Sequence, residues 1–335
     1  MSFIFTLPCA CALGQEGERT PLFDSDETLR VRMSFSFKDL KESDEDTVYF
    51  PTRLEYQNAD SSWSALDVRV RARGNYRRKN CSFPPVRMKI KKSDAASTLF
   101  EGNKNLKLVL PCRSPANYID LVAKEYVCYK LYEAVCPYTL RTRLARIALI
   151  DQRSKGNKSF DVPGFFIEDD DHLARRFDGE ILDESKIHPL HLHDSTALIH
   201  DFFQLMIGNT DWSSVVEHNI YVLQVGGRVI PVAFDFDMSG MVNAPYAVVN
   251  EALVSASNVR ERVYRGFCRD EALVRHTRKI YLQNESRIFE VLNLEQSRLA
   301  ASDFKEMESY LQEFFSILKD DRLFSETILK NCRTN

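Results

Sequence analysis

Asp211, Asn219, Asp235 and Asp237 all fall within the stretch Ile207–Met241, and their types and spacing suit a hard cation. Tyr221–Gln224 and Arg228–Ala233 read as two strands, and the Gly226-Gly227 pair between them marks a tight turn. Antiparallel pairing about that turn sets positions summing to about 453 opposite each other, so Asn219 lies almost directly across from Asp235. Side-chain oxygens from Asn219 and Asp235 can then grip one ion such as Mg²⁺, with Asp211 nearby to handle a proton or a water. The plainer alternative is a surface hairpin carrying ordinary turn acids.

Other residues invite chemistry less strongly. Glu125 falls inside the apolar stripe of a helix, where an unpaired carboxylate is costly. Lys89 in RMKI or Lys107 in LKLV on neighbouring strands can pair with it, or Glu125 sits at the edge of the stripe and reaches solvent. His188, His191 and His193 are spaced i, i+3, i+5 in a proline-containing loop, which cannot put all three on one helical face. His218, beside Asn219, fits the phosphate end of a pocket or an ordinary hydrogen-bonded loop. Arg260, Arg262 and Arg265 form a basic face on an expected helix, better suited to internal salt bridges than to an acidic substrate. No GxSxG, HExxH or Ser-His-Asp order supports a hydrolase.

The elements that must position these residues divide the chain. The first half is strand-rich. Leu29–Phe37 and Leu66–Arg73 alternate apolar with polar, and Val48–Tyr56, Val86–Lys91, Leu106–Leu110, Arg143–Asp151 and Gly164–Glu168 complete the series. One long helix, from about Pro115 to Cys136, interrupts them, with Tyr118, Val122, Tyr129, Tyr132 and Cys136 on its apolar stripe. From Asp169 onward helices dominate: Ser195–Gly208, Val259–Gly266, Glu271–Leu292, Ser302–Lys319 and Arg322–Cys332.

The chain has 335 residues, 44% hydrophobic and 28% charged, which is ordinary for a globular protein with a large core. Its net charge of −3 gives no global basic field for nucleic acid or an anionic membrane. No run approaches the ~18 apolar residues that span a bilayer. Phe3–Leu13 is short, apolar and rich in small residues, and an acidic, polar stretch follows it. That resembles a secretory signal peptide within residues 1–15, although nothing before Arg19 is basic. Export is the expectation. Cys9 and Cys11 would leave with the signal, no remaining pair forms CxxC, and Cys81 with Cys112 is the expected disulfide. Cys128 and Cys136 are expected as buried thiols.

Three blocks resemble the spore-coat-protein-H-like kinases, an atypical branch of the protein-kinase-like fold with exported bacterial members. They are RVRARGNYRRKNCSFPPVRMKI, LARIALIDQRSKGNKSFDVPGFFIED, and IGNTDWSSVVEHNIYVL with VIPVAFDFDMSG, spanning roughly Leu66 to Met241. The resemblance implies an α+β, two-lobe fold: a strand-rich lobe with one long helix over residues 20–169 and a mostly helical lobe over 170–335. It implies an ATP-dependent phosphotransferase using Mg²⁺ or Mn²⁺ on a protein or small-molecule hydroxyl. An inactive kinase-fold interaction module and an AMP transferase are the alternatives. By the same resemblance Asp211 is the catalytic acid, Asp235 the main metal ligand, Asn219 the second and Asp237 a support. Arg73, Gly74 and Asn75 would cover the phosphates, Lys89 or Lys107 would contact them with Glu125 as partner, and Glu168 would lie at the adenine hinge. The expected partners are nucleotide and an acceptor, with the protein a monomer. Two departures stand out: GxGxxG is missing, and seven residues separate Asp211 from Asn219 where the usual loop has four.

Overall fold

Seven strands in the first half of the chain close on themselves. They are β1 (Leu29–Phe35), β2 (Phe50–Gln57), β3 (Trp63–Ala72), β4 (Val86–Ile90), β5 (Asn105–Val109), β6 (Thr142–Asp151) and β7 (Lys158–Ile167). The structure is a computed structural model and describes residues 17, 19–43, 47–113, 116–153, 156–182, 187–249 and 257–334. The barrel order is β1-β2-β3-β4-β5-β7-β6. Every neighbouring pair is antiparallel except the closing one, where β1 runs parallel to β6 from Leu29 opposite Ala145 to Phe35 opposite Asp151. Alternation along each strand sends Val31, Leu54, Val70, Met88, Leu108 and Ile147 into one apolar core inside the barrel.

This closure corrects the expected two-lobe, kinase-like arrangement. The strand segments lie about where the alternation puts them, but a closed mixed barrel with helices and a separate small sheet replaces the expected lobe. The deciding contact is the β1–β6 seam. It joins residues more than a hundred positions apart, and local patterning carries no record of it.

Short helices α1 (Phe37–Glu42), α2 (Asn75–Asn80) and α3 (Lys92–Ala95) sit in the connections between strands. The long helix α4 (Ala116–Val135) is buried well beyond one stripe: Val122, Tyr126, Cys128, Tyr129, Leu131 and Tyr132 are all inside. Its side chains join the second apolar core with the helical half, not the barrel core. A helix so enclosed must satisfy any charge it carries within the protein.

The remaining chain supplies α5 (Asp170–Arg176), β8 (Glu180–Ile181), α6 (Asp194–Met206) and the hairpin β9 (Ile220–Val225) with β10 (Arg228–Ala233). Then follow α7 (Glu271–Gln283), α8 (Glu285–Leu294), α9 (Ala301–Lys319) and α10 (Asp321–Phe324). The hairpin joins β8 in a three-stranded sheet of order β10-β9-β8. The expected helix over Val259–Gly266 does not form; that segment is turn and irregular chain, with Phe267 in a parallel bridge to Arg333. The helix expected over Glu271–Leu292 breaks at Asn284. Arg322–Cys332 is a short α-turn running into a π-turn over Ser325–Leu329.

Cys81 and Cys112 form the expected disulfide, and a second one, Cys268–Cys332, was not foreseen. Cys128 and Cys136 are free and buried. Among the described residues no helix is long and apolar enough to cross a membrane. Phe3–Leu13, with Cys9 and Cys11, lies outside the described residues.

Candidate functional site

The hairpin register is the one its turn implies. Arg228 faces Val225 and Ala233 faces Ile220, with Gly226 and Gly227 between them at φ 53° and 76°. Two consecutive left-handed residues define the tight turn whose twist matches the strands, which is why glycine occupies both positions. Past the last ladder pair, the Phe234 N–H donates to the Asn219 carbonyl at 3.2 Å. Asn219 and Asp235 then both adopt left-handed backbone, φ 55° and 63°. Such conformations cost non-glycine residues roughly 1–3 kcal/mol and are tolerated best by Asn and Asp. Asn219 thus stands opposite Phe234, and Asp235 lies one position beyond the expected facing.

Asp211 is held from the same side. Its N–H donates to Asn209 Oδ1 at 2.9 Å, and Asn219 Nδ2 donates to the Asp211 carbonyl at 2.7 Å and to its Oδ2 at 3.0 Å. His218 Nε2 lies 3.1 Å from Asp211 Oδ1. The intervening loop is pinched by reciprocal Ser213–His218 backbone bonds of 2.9 and 3.0 Å. The seven-residue separation is thus a closed loop that returns Asn219 to Asp211. Both Asn219 bonds to Asp211 use its Nδ2.

Arg77, which the sequence reading did not single out, anchors the interior end. Its guanidinium is buried, donates to the Leu110 carbonyl, and lies 3.7 Å from Asp237 Oδ2 and 4.0 Å from Glu125 Oε2. The partner of buried Glu125 is therefore Arg77 on α2, not Lys89 or Lys107, and Glu125 does not reach solvent. Tyr246 donates its hydroxyl to Asp237 Oδ2 at 3.1 Å. Burial and then the neighbouring Asp235 carboxylate raise Asp237 to about 6 against the pull of Arg77. Burial and Asp237 push Glu125 well above the usual carboxylate range. Glu125 Oε1 is buried with no hydrogen-bond partner. Two buried carboxylates, Asp237 and Glu125, thus share one guanidinium. Only the run NYRRKN hinted at Arg77, and nothing local separates it from its basic neighbours.

The two candidate lysines part company. Lys107 is buried, donates to the Tyr221 hydroxyl and lies 4.6 Å from the Tyr221 ring centroid and 4.5 Å from that of Phe234. Burial, with Arg73 next, lowers it to about 8, although Asp170 and Asp235 act in the opposite direction. Lys89 lies on the outer barrel face, 4.4 Å from the Tyr49 ring centroid, in a groove it shares with Asp67 and Asp94. Arg73 is half-buried with its Nε unpartnered, and the exposed Gly74 adopts φ 72°. Asn75 opens α2, and its side chain lies outside the described residues. Asp170, also missed, has a buried Oδ1 without a partner and faces Lys107 and Tyr221 electrostatically.

Glu168 is committed elsewhere. Its carboxylate accepts from Arg141 N at 2.9 Å and from Arg176 Nε and Nη2 at 2.8 Å each, and it contacts His172 Nδ1. Burial pushes it upward, but the His172 and Arg176 bonds win and hold it below the usual value. Its side chain ties β7 to α5 and is closed to an adenine edge. Arg260 and Arg262 pair with Glu306 and Glu313, and Arg265 donates to the Thr210 carbonyl.

A hard divalent cation fits this donor set. Asn219, Asp235 and Asp237 each carry side-chain oxygen of the kind such an ion takes, and the buried Glu125 Oε1 has no hydrogen-bond partner. Among the described residues no group of three His, Cys, Asp or Glu side chains forms a ready-made cage. Mg²⁺ needs no such cage, since it keeps waters and takes phosphate oxygens alongside one or two carboxylates. The chain matches no known family model and no curated protein.

Proposed function

We propose that this site carries out ATP-dependent phosphoryl transfer to a hydroxyl, with Mg²⁺ or Mn²⁺ held by Asp235 and Asn219 and supported by Asp237. What carries the reading is the meeting of an oxygen donor set with a buried lysine. Asp235 acts electrostatically on Lys107 and Arg73 acts on Glu125, so acids and cations of the kind that hold metal-bound phosphates lie within reach of each other. Bound metal would neutralise phosphate charge, and Lys107 and Arg73 would hold phosphate oxygens. Asp211, oriented by Asn219 and His218, would take or align the proton of the attacking hydroxyl. The likeness of the three sequence blocks to spore-coat-protein-H-like kinases supports the chemistry.

Thermal unfolding with ATP and Mg²⁺ or Mn²⁺ tests binding, and the expected result is an upward shift that needs both. Label transferred from the γ-phosphate supports phosphotransfer, whereas label from the α-phosphate makes the protein an AMP transferase. No shift with any nucleotide and divalent ion leaves a non-catalytic binding module. The same reading takes the protein to act outside the cytoplasm, supported by Phe3–Leu13 and by two disulfides. A reporter active only after export, fused behind residues 1–25, checks it; a silent reporter removes the assignment.

A further inference from the structure

On the outer face of the barrel, β3 and β4 set like charges directly across from one another. Arg69 faces Lys89 and Arg71 faces Arg87, and Arg87 in turn faces Lys107 on β5. Like charges at directly opposed positions destabilise a sheet. The described acids do little to offset them: Arg69, Arg87 and Lys89 make no ion pair among the described residues. A groove of about 480 Å³ runs along this face, with Arg69, Lys89 and Lys91 on its walls and Asp67 and Asp94 also lining it.

From this arrangement we infer that the outer face of β3 and β4 docks an acidic polypeptide segment, held by carboxylate contacts to Arg69, Lys89 and Arg87. Guanidinium forks match carboxylates in pairs, and the groove is wide enough for side chains. Asp67 and Asp94 can accept peptide N–H groups, donors that a phosphate backbone does not offer. Tyr49, an aromatic ring on this face, is engaged by Lys89, 4.4 Å from its centroid, and by Arg71, which donates to its hydroxyl at 3.2 Å, so a stacking base would compete with Lys89. Both strands are paired on each side, so recognition runs through side chains, not strand addition. The basic row ends at Lys107, so the docked segment points toward the candidate site. Naming it the phosphate acceptor rests on the phosphotransfer reading; the docking itself does not.

Fluorescence anisotropy of a labelled oligoglutamate peptide, without nucleotide, tests the docking on the full chain. Arg69→Glu with Lys89→Glu should weaken binding by roughly tenfold or more. Lys279→Glu with Arg287→Glu, the same change in net charge on α7 and α8, should leave it nearly unchanged. Arg69→Gln with Lys89→Gln repeats the loss without reversing charge, and a retained unfolding midpoint shows that the variants fold. Because the assay omits nucleotide, its failure is distinct from failure of phosphotransfer. Equal loss in the two Glu pairs, no binding at low salt, or tighter binding of an oligothymidylate of equal charge overturns the assignment.

Discussion

Lys107 brings an ammonium into an apolar and aromatic setting, and that placement has a cost that can be measured. Its folded value, about 8, lies below its ordinary 10.5 because burial disfavours the charge. The sign follows from proton counts. Between those values the unfolded chain holds more protons, so stability rises with pH across that window, and the penalty is in full force below about 8. Lys107→Met should therefore raise the unfolding midpoint at neutral pH, with the gain shrinking as pH rises toward 10.5, while abolishing the stabilisation by ATP and Mg²⁺. A thermal scan across pH checks both halves. Asp235 and Asp211 should separate in the same way. Asp235→Ala is expected to remove metal-dependent nucleotide binding. Asp211→Asn should keep most of it and lower turnover by ~10²–10⁴-fold. Equal loss of binding in both would make Asp211 another metal ligand.

At the scale of elements, α2 determines whether the acids on α4 and after β10 are tolerated. Arg77 rises from α2 between Glu125 and Asp237, and the helix ends at Cys81, which is bonded to Cys112 just before α4. The crosslink spans 31 residues, and loops of that size contribute about 3–4 kcal/mol by restricting the unfolded chain. Cys81→Ala with Cys112→Ala should lower denaturant stability by about that amount. It should also blunt the metal-nucleotide response, because the segment carrying Arg77 loses its tether. The native fold should survive: Ser82 N and Phe83 N still donate to the Cys112 carbonyl at 2.7 and 3.4 Å. An unchanged metal-nucleotide response would show that packing alone fixes Arg77.

The whole molecule has two principal apolar cores, one inside the barrel and one built around α4, α6, the hairpin and the later helices. Ile147 is fully buried in the first, so Ile147→Ala should cost about 2–5 kcal/mol through lost burial and a residual cavity. Hydrogen exchange should place the first loss of protection in the barrel strands, with the hairpin and α6 retaining theirs. Uniform loss across both halves would mean that the two cores unfold as one unit.

The hairpin and its acids were legible in the sequence for a local reason. Gly226-Gly227 fixes the turn and the turn fixes the register, which ends with Ala233 opposite Ile220 and the Phe234 N–H on the Asn219 carbonyl, one position short of Asp235. The strand segments and the position of α4 followed from short-range periodicity in the same way, although its burial on all sides did not, and chemistry and position together pointed to Cys81–Cys112. Closure of the barrel was different. It depends on β1 meeting β6 in parallel, a pairing whose favourable contacts exist only after a long stretch of chain has been brought back. The partner of Glu125 and the choice between Lys107 and Lys89 were undecided for the same reason. All are basic residues in similar local settings, and only tertiary packing sets Arg77 between the acids, Lys107 against Tyr221, and Lys89 on the outer wall.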